Sequence, residues 1–265
     1  MNETLGLIHQ RRSVRTYEDR PVEREAVDGI IRAAMRAPTA GNLMLYSIIE
    51  IADEEIKTKL ARSCDNQPFI AHAPLVLVFL ADYQRWIDLF LASDVPSLCE
   101  GKGETMRLPG EGDLMLACCD ALIAAQTAVI AAESLGIGSC YIGDIMERYE
   151  YHRELLSLPV YTFPITMVCF GYPTEAARQR ELTSRFPQAC IHFKDSYRKL
   201  DDDQLQQMVE PRTRTAYVGD AGNVGQHVYL RKFSAAFAHE MTRSVRQAIL
   251  TWTSESKREN SSSVQ

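Results

Sequence analysis

Arginine and serine crowd one short stretch near the N-terminus. In HQRRSVRTYEDR, Arg11, Arg12 and Arg15 surround Ser13. Guanidinium forks match phosphate oxygens bidentately and a serine hydroxyl adds a donor, so the cluster is a candidate anion site. The same residues also fit a solvated basic turn answered by Glu18 and Asp19. A second basic group, Arg178, Arg180 and Arg185, stands ahead of Phe186-Pro187. In GIGSCYIGD, Gly136, Gly138 and Gly143 bracket a short apolar run. Glycine serves where backbone turns with positive φ or approaches another group closely, so this run suits a flat ligand read by main-chain amides. On spacing alone, a C-cap, a strand and a turn are the simpler account. The small polar loop Pro38-Thr39-Ala40-Gly41-Asn42 is a ligand-binding candidate of the kind found at sheet edges, or an ordinary helix-to-strand connection.

Other chemistries lack their residues. There is no Ser-His-Asp order, GxSxG elbow or paired-carboxylate signature. The six histidines lack HExxH or Cys/His metal spacing, so no catalytic metal is expected, and His72 reads as structural. GKGETMRLPGEG lacks the spacing of a phosphate-binding P-loop.

The elements that must position these candidates follow from periodicity. DLMLACCDALIAAQTAVIAAESLG carries Leu114, Ala117, Cys118, Ala121, Leu122, Ala125, Ala128, Val129 and Ala132 at three- and four-residue steps, which predicts a long helix. Asp113 reads as its N-cap and Gly136 as its stop, and apolar residues on the other faces predict burial nearly all round. Asp120, Gln126 and Glu133 interrupt the run too often for a membrane span. An amphipathic helix is expected from Pro21 to Ala37, a strand from Leu45 to Ala52, and a helix capped by Asp53 to about Cys64. Asn66, Gln67 and Pro68 predict a turn; Pro74 to Leu80 and Ile165 to Phe170 read as buried strands, with a short helix between 146 and 158. Residues 82–112 read as an excursion, a candidate lid or site wall.

A net charge of −6 over 265 residues argues against general nucleic-acid binding. Seven cysteines without a CxxC read as reduced thiols of a cytoplasmic protein, and no apolar signal region opens the sequence. Residues 200–265 look like a helical appendage ending in a disordered-looking tail from Lys257. Within it Phe233, Phe237, Met241, Val245 and Ile249 repeat every fourth residue, so that helix should dock on something.

In their order, RRSVRTY, APTAGN, NQPFIAHAPLVLVFLAD, the alanine-rich helix, GIGSCYIGD, CFGYP and SRFPQ resemble the FMN-dependent nitroreductase family over about residues 5–195. The resemblance implies an α+β fold, a three-layer sandwich around a mainly antiparallel sheet, in an intertwined homodimer with FMN at the subunit interface. It implies a domain of residues 1–199 and a helical extension of residues 200–265. Arg11, Arg12, Ser13 and Arg15 match the N-terminal FMN motif, and Arg185 the late phosphate-binding residue. Arg180 or Arg178 would replace the basic residue often found where Thr183 stands. Pro38, Thr39, Ala40 and Asn42 match the loop lining the cofactor, Asn66 and Gln67 the amides at the flavin edge, and Tyr141, Ile142, Gly143 and Asp144 the segment passing the ring. Asp144 after Gly143, and Leu43-Met44-Leu45 where Gln-Pro-Trp is frequent, depart from the pattern. The implied activity is ping-pong hydride transfer from NAD(P)H through FMN to a small-molecule electron acceptor such as a nitroaromatic or quinone. Reductive dehalogenation or dehydrogenation on the same fold, and a flavin carrier without turnover, are the alternatives. Neither a nucleic-acid nor a membrane partner is expected.

Overall fold

The computed structural model describes residues 1–212 and 217–262. These divide into two compact units, one formed by residues 1–180 with the chain from Glu240 onward, the other by Glu181–His239. The units cut the chain elsewhere than the expected break between residues 199 and 200, because the last helix returns its apolar row to the first unit's core.

In the first unit, α1 (Glu3–Gln10) and α2 (Arg24–Ala34) precede β1 (Tyr46–Glu50), α3 (Glu54–Ser63) and β2 (Leu75–Asp82). Then come α4 (Gln84–Ala92), α5 (Val95–Glu100), the long α6 (Glu111–Ser134) and β3 (Gly138–Ile142). The unit continues through α7 (Tyr149–Leu155), β4 (Thr162–Gly171) and α8 (Glu175–Gln179). The expected helix caps are partly as read. Asp53 Oδ1 accepts from the N–H groups of Glu55 and Ile56, whereas α6 starts earlier, at Gly110, with Asp113 reaching back to accept from the Gly110 N–H. Gly136 ends the helix region at φ +74°, a left-handed geometry that glycine adopts freely.

The four strands run in the order β1-β2-β4-β3, every neighbour antiparallel. β2 is buried on both faces. Its Leu75, Leu77 and Phe79 join α2 and α6 in one core, while Val76, Val78 and Leu80 join α3 and Ile145 in the other. This is the expected three-layer α+β sandwich. The register of β2 against β4 shifts at Phe79/Leu80, opposite Pro164, so the proline without an N–H stands at an irregularity of the ladder.

By length and composition α6 could cross a membrane, but here it packs along all four strands. The expectation of burial nearly all round fails on one side. Met115, Leu116, Leu122 and Ile123 remain 41 to 65 % exposed within the first unit, among the described residues. Periodicity identifies apolar faces; it does not tell which of them the chain itself covers.

The second unit holds α9 (Asp202–Val209) and α10 (Val224–Val228), with Arg212 stacked 4.0 Å from the Phe186 ring centroid. α11 (Ala236–Ser262) begins there and continues in the first unit, so Lys257–Ser262 of the expected irregular tail are helical; residues 263–265 lie outside the described residues. It buries Ser244, Ala248, Trp252 and Thr253, with Val245 and Ile249 of the expected series partly buried against the same core and Trp252 set edge-on to Tyr161 at 5.6 Å. Phe233 ends the short π-helical segment Tyr229–Phe233 before α11 and is exposed.

Candidate functional site

Two glycines place the N-terminal arginines. A Cβ at Gly138 would stand 2.6 Å from Val14 Cγ2, and one at Gly171 would stand 2.7 Å from Tyr17 Cδ1, so bare backbone at both positions lets residues 14–17 lie against β3 and β4. Ser13 then pairs with Ser139 as a parallel bridge, the Val14 N–H donating to the Ser139 carbonyl at 2.8 Å. The Tyr17 hydroxyl donates back to the Val14 carbonyl at 2.9 Å and fixes the bend.

That seat sorts the arginines. Arg12 turns away and donates to the carbonyls of Arg178 and Arg180, stapling the N-terminal segment to the chain after β4. Arg180 donates to the Ser13 carbonyl at 2.8 Å. Burial pushes the Cys140 thiol of β3 up, and Arg15, Arg11 and Arg180 pull it down. Nearby ion pairs are made by Arg178 with Glu18 and Arg20 with Glu23, and among the described residues Arg11 and Arg15 take no part in one. Arg15 instead lies 5.9 Å from the Phe69 ring centroid. Below, a cavity of about 450 Å³ is lined by Arg12, Gly138, Arg178 and Glu133 among others. Burial pushes the Glu133 carboxyl up to about 7 against the pull of Arg11 and Arg12, and its Oε1 has no hydrogen-bond partner.

The turn after α3 joins the same region. Asp65 and Asn66 adopt left-handed backbone (φ +59° and +49°), and the Gln67 amide donates to the Cys64 carbonyl at 3.0 Å and to Asp144 Oδ2 at 2.9 Å. Gln67 is thereby tied to the turn that ends β3, while Asn66 is exposed. Tyr141 donates to Gln126 Oε1 of α6 at 3.2 Å, and burial pushes its hydroxyl up to about 12. Gly143 is exposed, and a Cβ there would meet nothing within 4 Å. Behind the turn, Glu147 is buried with an unpartnered Oε1, and burial and then Asp144, Asp65 and Glu240 push its carboxyl up to about 7. Three thiols, Cys64, Cys140 and Cys169, line the core on this side of the sheet. Burial pushes Cys64 up to about 12 and Cys169 well above its usual value.

The structure does not draw every expected residue to this place. Pro38, Thr39, Ala40 and Asn42 form a short loop whose Ala40 N–H donates to Asp120 Oδ1 at 2.9 Å. Asp120 precedes Glu133 by thirteen residues of α6, roughly 20 Å at 1.5 Å per residue. Arg185 belongs to the second unit, is exposed, and donates to the carbonyls of Thr183 and Ser184. Among the described residues no group of three or more His, Cys, Asp or Glu could hold a metal. Sequence reading passed over Asp120, Glu133, Phe69 and the α4 residues Arg85 and Trp86. The one available signal was charge inside an apolar helix.

The model of the nitroreductase family matches residues 8–172. An FMN reductase [NAD(P)H] of Bacillus subtilis is 32% identical over 222 residues, 80% of this chain and 85% of that protein. An oxygen-insensitive NADPH nitroreductase of Salmonella typhimurium is 31% identical over 205 residues, covering 77% of this chain and 79% of that protein. The solved structure of NADPH:FMN oxidoreductase from Vibrio harveyi complexed with NAD+ superposes with a TM-score of 0.78 at 25% identity, over 94% of this chain and 98% of that one.

Proposed function

The chain belongs to the nitroreductase family, and we propose that it is an NAD(P)H-dependent FMN oxidoreductase that passes hydride, by a ping-pong cycle, to a nitroaromatic, quinone or related acceptor. The observation that carries this reading is the seating of the N-terminal arginine segment on β3, where Ser13 bridges Ser139 and Arg180 donates to the Ser13 carbonyl at 2.8 Å. A phosphate monoester carries nearly two negative charges at neutral pH and accepts charge-assisted bonds from such a set. The donor set therefore fits the phosphate of FMN. Backbone from Tyr141 to Asp144 would lie along the ring, and the open space at Gly143 admits a flat group. Gln67, fixed by Asp144, and the exposed Asn66 would meet the ring's polar edge. Bound FMN supplies the redox chemistry; the chain binds it, orients it and sets the charge around it.

The roughly 20 Å of α6 between Glu133 and Asp120, which holds the Pro38–Asn42 loop, fits a site completed by a second copy. The uncovered face of α6 supports the same arrangement, since Met115, Leu116, Leu122 and Ile123 form an apolar stripe suited to another copy of the chain. Ile123→Glu should turn a dimer into a monomer in sedimentation; a monomeric unaltered chain would refute the pairing. The acceptor is a small molecule, with no nucleic-acid or membrane partner, and the compartment is the cytoplasm, consistent with seven free thiols. The deciding experiment is a visible absorbance spectrum of the purified protein with mass identification of the released chromophore, followed by anaerobic reduction with NADH and NADPH. Stoichiometric FMN that either nicotinamide bleaches, and quinone or nitroaromatic reoxidises, is the expected result. A colourless protein that takes up no added FMN would refute it.

A further inference from the structure

Asp120 lies in the middle of α6, 2 % exposed, beside Ala117, Ala121 and Ala124. A carboxylate among alanines is costly unless it is fully hydrogen-bonded. Asp120 Oδ1 accepts from the Ala40 N–H at 2.9 Å and Oδ2 from the Leu45 N–H at 3.1 Å, so one side chain grips both ends of a six-residue loop. Inside that loop Gly41, Asn42 and Met44 all adopt left-handed backbone, at φ +55°, +57° and +50°. Thr39 Oγ1 accepts from the Met44 N–H at 3.3 Å. From α4, Trp86 Nε1 donates to the Leu43 carbonyl at 2.9 Å, and Arg85 Nη2 donates to the carbonyls of Met44 and Tyr46 at 2.8 and 2.6 Å. The base of the loop is held on both sides, while Gly41 and Asn42 at its tip stay exposed.

We propose that Asp120 is a positioning residue for the flavin site, shaping the backbone of Thr39–Asn42 into a preformed wall for FMN, with Trp86 and Arg85 bracing it from the outside. The proposal rests on the FMN reading above. Two converging N–H groups call for two acceptors, which a carboxylate has and an amide does not. Asp120→Asn keeps the volume but turns a donor toward one of the loop's own donors. Holding such a loop in place before the ligand arrives spares the ligand its ordering entropy.

The test titrates FMN into the full-length, FMN-free chain and into Asp120→Asn, Asp120→Ala and Trp86→Phe, following fluorescence quenching, with visible circular dichroism of the bound flavin and thermal unfolding alongside. Asp120→Asn should weaken FMN about tenfold or more and alter the flavin's visible dichroism, and Trp86→Phe, which deletes one outer bond, should weaken it roughly two- to fivefold. A residue that served the fold alone would lower the unfolding temperature and leave the affinity and dichroism of the folded fraction unchanged. Tight FMN binding by the unaltered chain with both Asp120 variants within about twofold of it would overturn the proposal. Should the Asp120 variants fail to fold, unchanged affinity in Trp86→Phe and in Arg85→Gln would overturn it as well. Failure of the unaltered chain to bind FMN would overturn the cofactor reading itself, and the positioning role with it.

Discussion

Near Glu133, α6 looks onto guanidinium groups; thirteen residues earlier, near Asp120, it looks onto neutral backbone held at both ends. At the first place the charge is carried by side chains on a segment seated on β3, with Arg11 and Arg15 outside any ion pair among the described residues. At the second the charge is buried, and what reaches the surface is the shape of a clamped turn. The difference teaches how one helix can serve two kinds of recognition. Attraction for an anion needs mobile donors that keep their charge, whereas reading a ring's outline needs backbone that does not move.

The comparison breaks most easily at the arginine end. Arg15→Ala should weaken FMN retention by about 1 to 3 kcal/mol, the range for losing a charged hydrogen bond, and the loss should shrink as salt rises. Equal FMN affinity in the variant at low salt would mean that this end does not hold the phosphate. At the loop end the counterpart is Gly41→Ala. Its φ of +55° is strained for any residue with a Cβ, so the substitution should cost about 1 to 2 kcal/mol in thermal unfolding, with little salt dependence. A salt-dependent loss there would erase the distinction between the two ends.

A smaller effect separates the ends by pH. Glu133 is pushed up to about 7 by burial, above its ordinary value of 4.5. Between those values the folded chain holds a proton that the unfolded chain has released. Its stabilising contribution is therefore full below pH 4.5 and is lost as pH rises to about 7. Glu133→Gln should accordingly be more stable than the parent above pH 7, and the advantage should fade toward pH 4.5. Ionised Glu133 would also compete with a phosphate for Arg11, so FMN affinity in the parent should decline above pH 7 and in the variant should not. A parallel decline in both would place the titrating group elsewhere.

The fold was largely legible because its signals are local. β2 is an unbroken apolar run, Asp53 caps the next helix, and Gly136 marks the end of α6. The N-terminal arginines were also legible as a cluster, but their division of labour was not. Arg12 binds carbonyls 166 and 168 residues away, and nothing in its neighbours distinguishes it from Arg11. Asp120 registered only as an interruption of an apolar helix, since its partners lie 75 and 80 residues off in a loop whose left-handed residues Asn42 and Met44 carry no glycine signal. In α11 the expected series holds for Val245 and Ile249, which pack against the core beside Ala248 and Trp252, but its first member Phe233 lies outside the helix.

The raised thiols behind the sheet bear on how long such a catalyst lasts. Reduced flavins hand electrons to dioxygen and yield hydrogen peroxide, which attacks thiolates far faster than thiols. On the proposed FMN reading, Cys64, Cys140 and Cys169 would be packed into the core behind that chemistry, and burial pushes all three thiols up. On that reading the sulfur nearest the oxidant source would be held in its less oxidisable form, and working lifetime in air should not depend on a reductant that repairs these cysteines.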